Sequence, residues 1–321
     1  MSPSLVADVG GTNTRVALAE GPRVLAETIR RFRNADHPDL ESVLRAFLAE
    51  AGVADCDAAA VAVAGPVRDG VGRLTNLDWA LDRPTLARAA RAERAVVLND
   101  LQAQGHALGA LDPSHIRAVV PGPTVEGPTA RLVVGVGTGF NAAPVIDTER
   151  GERVVAASES GHASLPVRTE AELRLSRFAA RTHGFAEVED VLSGPGLERV
   201  YAWLGEEAGD PRPATAGEIA AALTRGEARA EEAARVFVGA LGAVCGDLAL
   251  IHLPFGGVFL VGGVARAFRD HLGPLGFAEA FRAKGRFSGF METFAVHLIE
   301  DDYAALTGLA SHLAGGAGRA P

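Results

Sequence analysis

The chain has 321 residues and a mass of 33.2 kDa, and its 48% hydrophobic and 22% charged content lies in the range of chains that bury a core, as one large α/β domain or two lobes. A net charge of -9 and a pI near 5.5 argue against a nucleic-acid or anionic-membrane surface. Thirty of the 31 basic residues are arginine, and the one lysine, Lys284, precedes Gly285, so no GK[ST] phosphate loop exists in the chain.

In chain order, SLVADVGGTNTRVALAEG reads as a strand, a tight glycine turn and a second strand in hairpin relation. Residues 23–33 alternate as a third strand, and Leu40 to Glu50 has helical spacing. DAAAVAVAGPV (57–67) is a buried strand stopped by Gly65-Pro66, and Pro84 to Ala92 is an Ala/Arg-rich helix with proline in its first turn. AVVL (95–98) is a short buried strand ending at Asn99-Asp100. RLVVGVGTGFNAAPVI (131–146) then repeats the strand–glycine turn–strand pattern. Helices are expected around 169–182, 196–205, 216–224 and 228–250, a strand over GGVFLVGG (256–263), and a helix beginning near Ala265. AVHLIE (295–300) is a last strand and Tyr303 to Ala314 a last helix.

The uncharged stretch Leu248 to Ala265 has the composition of a membrane span, but Pro254 and the pairs Gly256-Gly257 and Gly262-Gly263 divide it into a helix end and a buried strand. Cys56 and Cys245 are too few for a disulfide framework or a four-cysteine zinc site. The N-terminus reaches Asp8 with no basic segment and no apolar run of signal length, so a cytoplasmic protein with no membrane partner is expected. The related units at 4–20 and 131–147 point to two lobes: a small one over 1–110 that the helix at 302–316 rejoins, and a large one over 111–301.

Three segments place small and polar residues after an apolar strand: Asp8-Val9-Gly10-Gly11-Thr12-Asn13, Gly135-Val136-Gly137-Thr138-Gly139 and Val261-Gly262-Gly263. Such turns let successive backbone N–H groups face a phosphate, and the acid at the first strand's end can hold a hydrated Mg²⁺. A tight hairpin or strand-to-helix turn explains any one of them equally well. The dinucleotide fingerprint fails, because the glycine it needs at position 140 is Phe140.

Asn99-Asp100 ends a strand and precedes a helix, which admits two readings. One is helix capping. The other is a carboxylate at the carboxyl end of a strand, able to take a proton from an attacking hydroxyl while Asn99 holds a neighbouring one. In Glu159-Ser160-Gly161-His162, Glu159 and His162 flank a glycine bend and can face one pocket as polyol partners, or be ordinary loop residues. Glu189, just before VLSGPGLERV, reads equally as a turn residue. Neither an HExxH zinc motif nor a GxSxG elbow occurs.

Together, ADVGGTNTRVAL (7–18), VAGPV (63–67), LTNLDW (74–79), VLND (97–100), GVGTGF (135–140), ESGH (159–162), VLSGPGL (191–197) and GGVFLVGGV (256–264) resemble, nearly end to end, the bacterial ATP-dependent glucokinases of the hexokinase/actin-like superfamily. The resemblance implies an α/β chain with a two-lobed actin-like (ribonuclease H-like) fold, mixed sheets flanked by helices. It also implies transfer of the ATP γ-phosphoryl group to the 6-hydroxyl of glucose.

By the same resemblance Asp8, Val9, Gly10, Gly11, Thr12 and Asn13 would line the ATP phosphates, with Asp8 near Mg²⁺ through water. Thr138 and Gly139 would form the second phosphate turn, and Gly262 and Gly263 would flank the adenosine. Asp100 looks like the base, and Asn76, Asn99, Glu159, His162 and Glu189 like the sugar partners. A homodimer is expected.

Three departures stand out: Ala7 where the family usually has glycine, Ser160 at the middle glycine of its EGGH, and Phe140-Asn141 for a Leu-Gly-type pair. Ala7 is a small change, whereas Ser160 and Asn141 leave open a kinase for mannose, fructose or an amino sugar. A catalytically silent sugar or nucleotide sensor is the alternative from another class, and retention of Asp100 speaks against it.

Overall fold

A computed structural model describes residues 2–65, 67–73, 79–125 and 127–316. The chain divides into two compact units, Met1–Pro113 with Asp301–Pro321, and Ser114–Glu300.

The first unit opens with β1 (Ser4–Val9) and β2 (Asn13–Glu20), an antiparallel hairpin, followed by β3 (Arg23–Val24) and β4 (Arg30–Arg33), both paired to β2. The continuous strand expected over 23–33 is therefore two short ones. A 3-10 turn at Ala26–Thr28 separates them, where the Thr28 hydroxyl donates to Leu25 O and accepts from Leu18 N. Alternation of side chains does not register such a side-chain clamp.

Next come α1 (Leu40–Ala51), capped by Asp39, and β5 (Cys56–Val63). β5 stops before Gly65, four residues short of its expected end. Short strands β6 (Val67–Arg68), β7 (Val71–Arg73) and β8 (Ala80–Asp82) form a separate small sheet. Then follow α2 (Arg83–Ala90), β9 (Ala92–Asn99), longer than expected, and α3 (Asp100–Ala107). The main sheet runs β3-β2-β1-β5-β9, with β1, β5 and β9 parallel. Residues of β5 from Ala58 to Val63 are fully buried, as expected of a parallel strand covered on both faces.

The second unit begins with β10 (Ile116–Val120), absent from the sequence reading, then β11 (Ala130–Val136) and β12 (Phe140–Asp147), a second hairpin, and β13 (Arg153–Val155). Helices α4 (Glu170–Ala179), α5 (Gly194–Glu207), α6 (Ala216–Thr224) and α7 (Ala228–His252) follow. The chain continues through β14 (Val258–Val261), α8 (Gly263–Ala267), α9 (Phe277–Arg282) and β15 (Val296–Ile299). The sheet order is β10-β15-β14-β11-β12-β13, with β11, β14 and β15 parallel. Apart from the edge strand β10, this repeats the strand order and directions of the first unit.

α7 is long and apolar enough by composition to cross a membrane, but Phe237, Val238, Leu241 and Cys245 are fully buried in the second unit's core. Its glycines admit α9 closely: a Cβ at Gly242 would lie 2.5 Å from Phe277 O. Lys284 lies across the same helix face. Its ammonium donates to Asp247 Oδ1 (2.6 Å) and Ala243 O (2.8 Å), with the side chain 8% exposed. The one lysine is thus a structural strut.

The chain returns to the first unit as α10 (Ala304–Gly316), whose Leu306, Leu309 and Leu313 pack on the alanine-rich face of β5 and on α3.

Candidate active site

In the first unit the carboxyl ends of β1, β5 and β9 lie side by side, Val9 opposite Val63 and Val63 opposite Asn99. At about 4.8 Å per strand, β1 and β9 are about 10 Å apart. This is the edge where open α/β sheets receive ligands.

The turn after β1 is held from within. Gly10 N donates to Asn13 O (3.0 Å), and the buried Asn34 donates from its side chain to Gly10 O (2.8 Å) and from its backbone to Thr12 O (3.0 Å). Asn34 Oδ1 in turn accepts the Thr14 hydroxyl (2.8 Å). With these carbonyls engaged inside, Gly11 and Thr12 are exposed on a turn whose negative dipole ends are occupied elsewhere, which suits an anion. Asn34 was not legible as a site residue, because it acts from a segment twenty residues away.

Asp8 is 17% exposed and faces Arg15 across the hairpin, Nη1 to Oδ2 at 3.3 Å. Burial raises its carboxyl above the usual carboxylate range, against the pull of Arg15. A cation beside Asp8 would offset that desolvation. Among the described residues no group of three or more His, Cys, Asp and Glu side chains converges on a point. A single carboxylate beside a phosphate turn fits Mg²⁺ that keeps its waters and binds chiefly through substrate phosphates.

Asn99 caps α3: its Oδ1 accepts from Leu101 N (2.9 Å), its backbone N–H donates to the Gln102 side chain (3.1 Å), and its amide donates to Gly65 O (3.1 Å). The capping reading of Asn99 is therefore realised, with Oδ1 also accepting from the Gln102 backbone, and one amide N–H remains for a ligand. Asp100 is the first residue of α3, with Oδ1 accepting from Leu101 N (2.9 Å). Asn76 lies outside the described residues.

In the second unit the turn between β11 and β12 is closed by Gly137 N donating to Gly139 O (2.9 Å). The start of α5 clamps it, since Gly194 N donates to Gly137 O (2.8 Å). Ser193 caps α5 by accepting from Gly196 N (2.9 Å), and its hydroxyl donates to Glu189 O (2.8 Å). The SGPG run is thus the joint between α5, the glycine turn and Glu189. Gly262 stands beside the same turn at φ 103°, and a Cβ there would sit 2.8 Å from the Val136 carbonyl carbon.

Glu189 Oε2 accepts from Phe140 N (2.7 Å) and lies against Gly139, where a Cβ would approach it to 2.5 Å. At Gly161 a Cβ would overlap the Phe140 carbonyl oxygen and lie 3.4 Å from Glu189 Oε2. Gly161 therefore brings the ESGH segment against Glu189, with Glu159 and His162 exposed. Gly161→Ala is expected to raise the KM for sugar at least about tenfold and to destabilise the second unit, since backbone cannot yield to the new methyl as a side chain can. Steady-state kinetics and thermal melting check this.

Asn141 and Ser160 bond to each other. Asn141 Oδ1 accepts from Ser160 N (3.0 Å), the Ser160 hydroxyl (3.1 Å) and the Ser158 hydroxyl (3.2 Å), so it fastens β12 to the ESGH segment. His162 Nδ1 lies 3.0 Å from Glu187 Oε2. Glu187, two residues before Glu189, carried no signal of its own in the sequence.

A duplicated sheet with a glycine turn at each hairpin, and acids at the carboxyl ends of its strands, is the architecture of the actin-like class. The glucokinase family profile matches residues 5–315. A glucokinase of Caulobacter vibrioides is 36% identical over 313 residues, covering 95% of this chain and 93% of that protein. One of Ralstonia nicotianae is 34% identical over 324 residues, covering 96% and 94%. The crystal structure of a glucokinase from an Antarctic psychrotroph superposes with a TM-score of 0.85 at 31% identity, covering 98% and 99%. The chain belongs to the glucokinase family.

Proposed function

We propose that the chain transfers the γ-phosphoryl group of ATP to the 6-hydroxyl of glucose, with Asp100 as the general base. In this reading Asp100 takes the O6 proton as O6 attacks the γ-phosphorus and the bond to the β,γ-bridging oxygen breaks, giving glucose 6-phosphate and ADP. The turn Asp8–Asn13 and the pair Thr138-Gly139 hold phosphates through amides and hydroxyls, and Gly262-Gly263 flank the nucleoside. Asn99, Glu159, His162 and Glu189 hold the sugar hydroxyls. Mg²⁺, held through water by Asp8, supplies neutralisation of the phosphate charge.

The observation that carries this reading is Glu189 seated on the second glycine turn and bonded to Phe140 N, with the segment of Glu159 and His162 packed against it at Gly161. It joins polyol-binding groups to a phosphate turn in one unit. Transfer without a lysine-bearing loop is consistent with Lys284 being engaged on α7. The test is sugar-dependent ADP release by the purified protein across a panel of glucose, mannose, fructose and glucosamine. Release with glucose, lost on chelation of divalent cations, is expected. A higher kcat/KM for another sugar would reassign the substrate, and no release with any would leave a sensor.

The reading includes a homodimer. The exposed Phe255, Phe287 and Phe290, with Leu253 and Ile251, give the second unit an apolar face for it, and light scattering at twice the chain mass is expected. A cytoplasmic setting accords with Cys56 and Cys245, both free and buried.

A further inference from the structure

Glu187 is an acid that the phosphotransfer scheme above does not use, yet its backbone is firmly held beside His162. A short antiparallel bridge joins Ser164 to Glu187, with Val188 N donating to Ala163 O (2.9 Å) and Leu165 N to Ala186 O (3.0 Å). The backbone N–H of Glu187 donates to Asp190 Oδ2 (3.1 Å), and the buried Asp190 is itself held by Arg199 at 3.0 Å. The segment carrying Glu187 and the one carrying His162 are therefore stitched together on both sides of Glu187. Glu187 is 23% exposed and His162 is 56% exposed, so the ring is anchored on one edge and open on the other.

We propose that Glu187 is a positioning residue for His162: it accepts the Nδ1 proton, fixes the ring's orientation and leaves Nε2 to hydrogen-bond a sugar hydroxyl. The inference rests on the reading of Glu159, His162 and Glu189 as sugar partners. A carboxylate only accepts, so the shared proton sits on Nδ1, and Nε2 is the nitrogen whose role changes with protonation. In the imidazolium both nitrogens donate. Glu159 and Glu189 accept protons from sugar hydroxyls, and a donor at Nε2 complements them by serving a hydroxyl oxygen.

The Glu187 hydrogen bond, together with the charges of Glu187, Glu189 and Glu159, holds the imidazole above its ordinary value against the partial burial that lowers it. All three carboxylates raise it. The sign follows directly. A raised value keeps the Nε2 donor present below the ordinary histidine pKa and loses it as pH climbs through the raised one. Removing the Glu187 charge moves that loss to lower pH.

The test is the pH profile of kcat/KM for glucose in the unaltered protein and in Glu187→Gln, which keeps an acceptor but not the charge. In the window between the two histidine midpoints, KM is expected to rise about 3- to 10-fold, the range one charge-assisted hydrogen bond supports. The kcat should stay within about twofold, and the KM ratio should narrow again at lower and higher pH. In parallel, the His162 ring proton resonance, identified by its loss in His162→Gln, should titrate at lower pH in Glu187→Gln. Superimposable profiles, or a KM rise equal at every pH with the His162 midpoint unmoved, overturn the positioning role. Absence of turnover with any sugar in the unaltered protein overturns the reading of the site and this inference with it, whereas turnover with an unchanged Glu187→Gln profile overturns the inference alone.

Discussion

Asp100→Ala is expected to lower kcat for glucose by about 10²- to 10⁴-fold, the span a positioned general base contributes, while glucose still binds. Coupled ADP release measures the first and calorimetric titration the second. Asp100 stands where β9 gives way to α3, at the first position of the helix. Asn99, not Asp100, makes the capping box with Gln102, so the helix start survives the substitution. Losing the dipole contribution of the carboxylate is expected to cost about 0.3–1 kcal/mol. Asp100→Asn sharpens the result: it keeps the shape and a hydrogen-bonding oxygen but cannot take a proton. Turnover near that of the unaltered protein in either variant would remove Asp100 from the role of base.

The largest effect on stability is expected from Gly308→Ala. Gly308 lies where α10 crosses α3. A Cβ there would overlap the Ala103 carbonyl oxygen and come within 2.9 Å of Ala107 N. Both neighbours are backbone of a packed helix, so relief requires the helices to move apart. Overpacking of this kind costs about 1–3 kcal/mol. Intrinsic helix propensity pulls the other way by about 1 kcal/mol in favour of alanine, so a net loss isolates the crossing itself. Each kcal/mol lowers the melting temperature by about 2–4 °C in a unit of this size.

The two tryptophans make the assignment direct. Trp79 belongs to the first unit and Trp203 to the second, so melting followed by fluorescence in a Trp203→Phe background reports the first unit alone. Because α3 carries Asp100 at its first position, kcat should fall together with the melting temperature. A first unit that melts unchanged or higher would show that the crossing tolerates the methyl.

Both hairpins were legible in the sequence, because a strand that alternates or runs apolar, a glycine turn and a second strand are set by neighbours a few residues apart. So were the helices from Leu40, Pro84 and Ala228. The residues that grip the turns were not. Asn34 reaches Gly10 and Thr12 only because β4 pairs back on β2. The edge strand β10 and the short helix α9 were missed for a related reason. Neither carries a periodic signal of its own, and each is held by what it packs on, β15 for one and the glycine face of α7 for the other. Glu187 is the clearest case. Beside Glu189 it is one more acid in a polar loop, and only the bridge to Ser164 turns it toward His162.

The sequence by itself determined the family, the absence of a lysine-bearing phosphate loop, and the pairing of glycine turns with apolar strands. These follow from residue identity and from spacing over less than a dozen positions. The tertiary structure alone decided which groups meet. It made Lys284 a strut on α7, set Asn141 on Ser158 and Ser160, brought Gly161 and Glu189 together, and laid Glu187 against the histidine. Those partners lie 17 to 41 residues apart. Their meeting depends on sheet register and helix crossings, which no local pattern encodes.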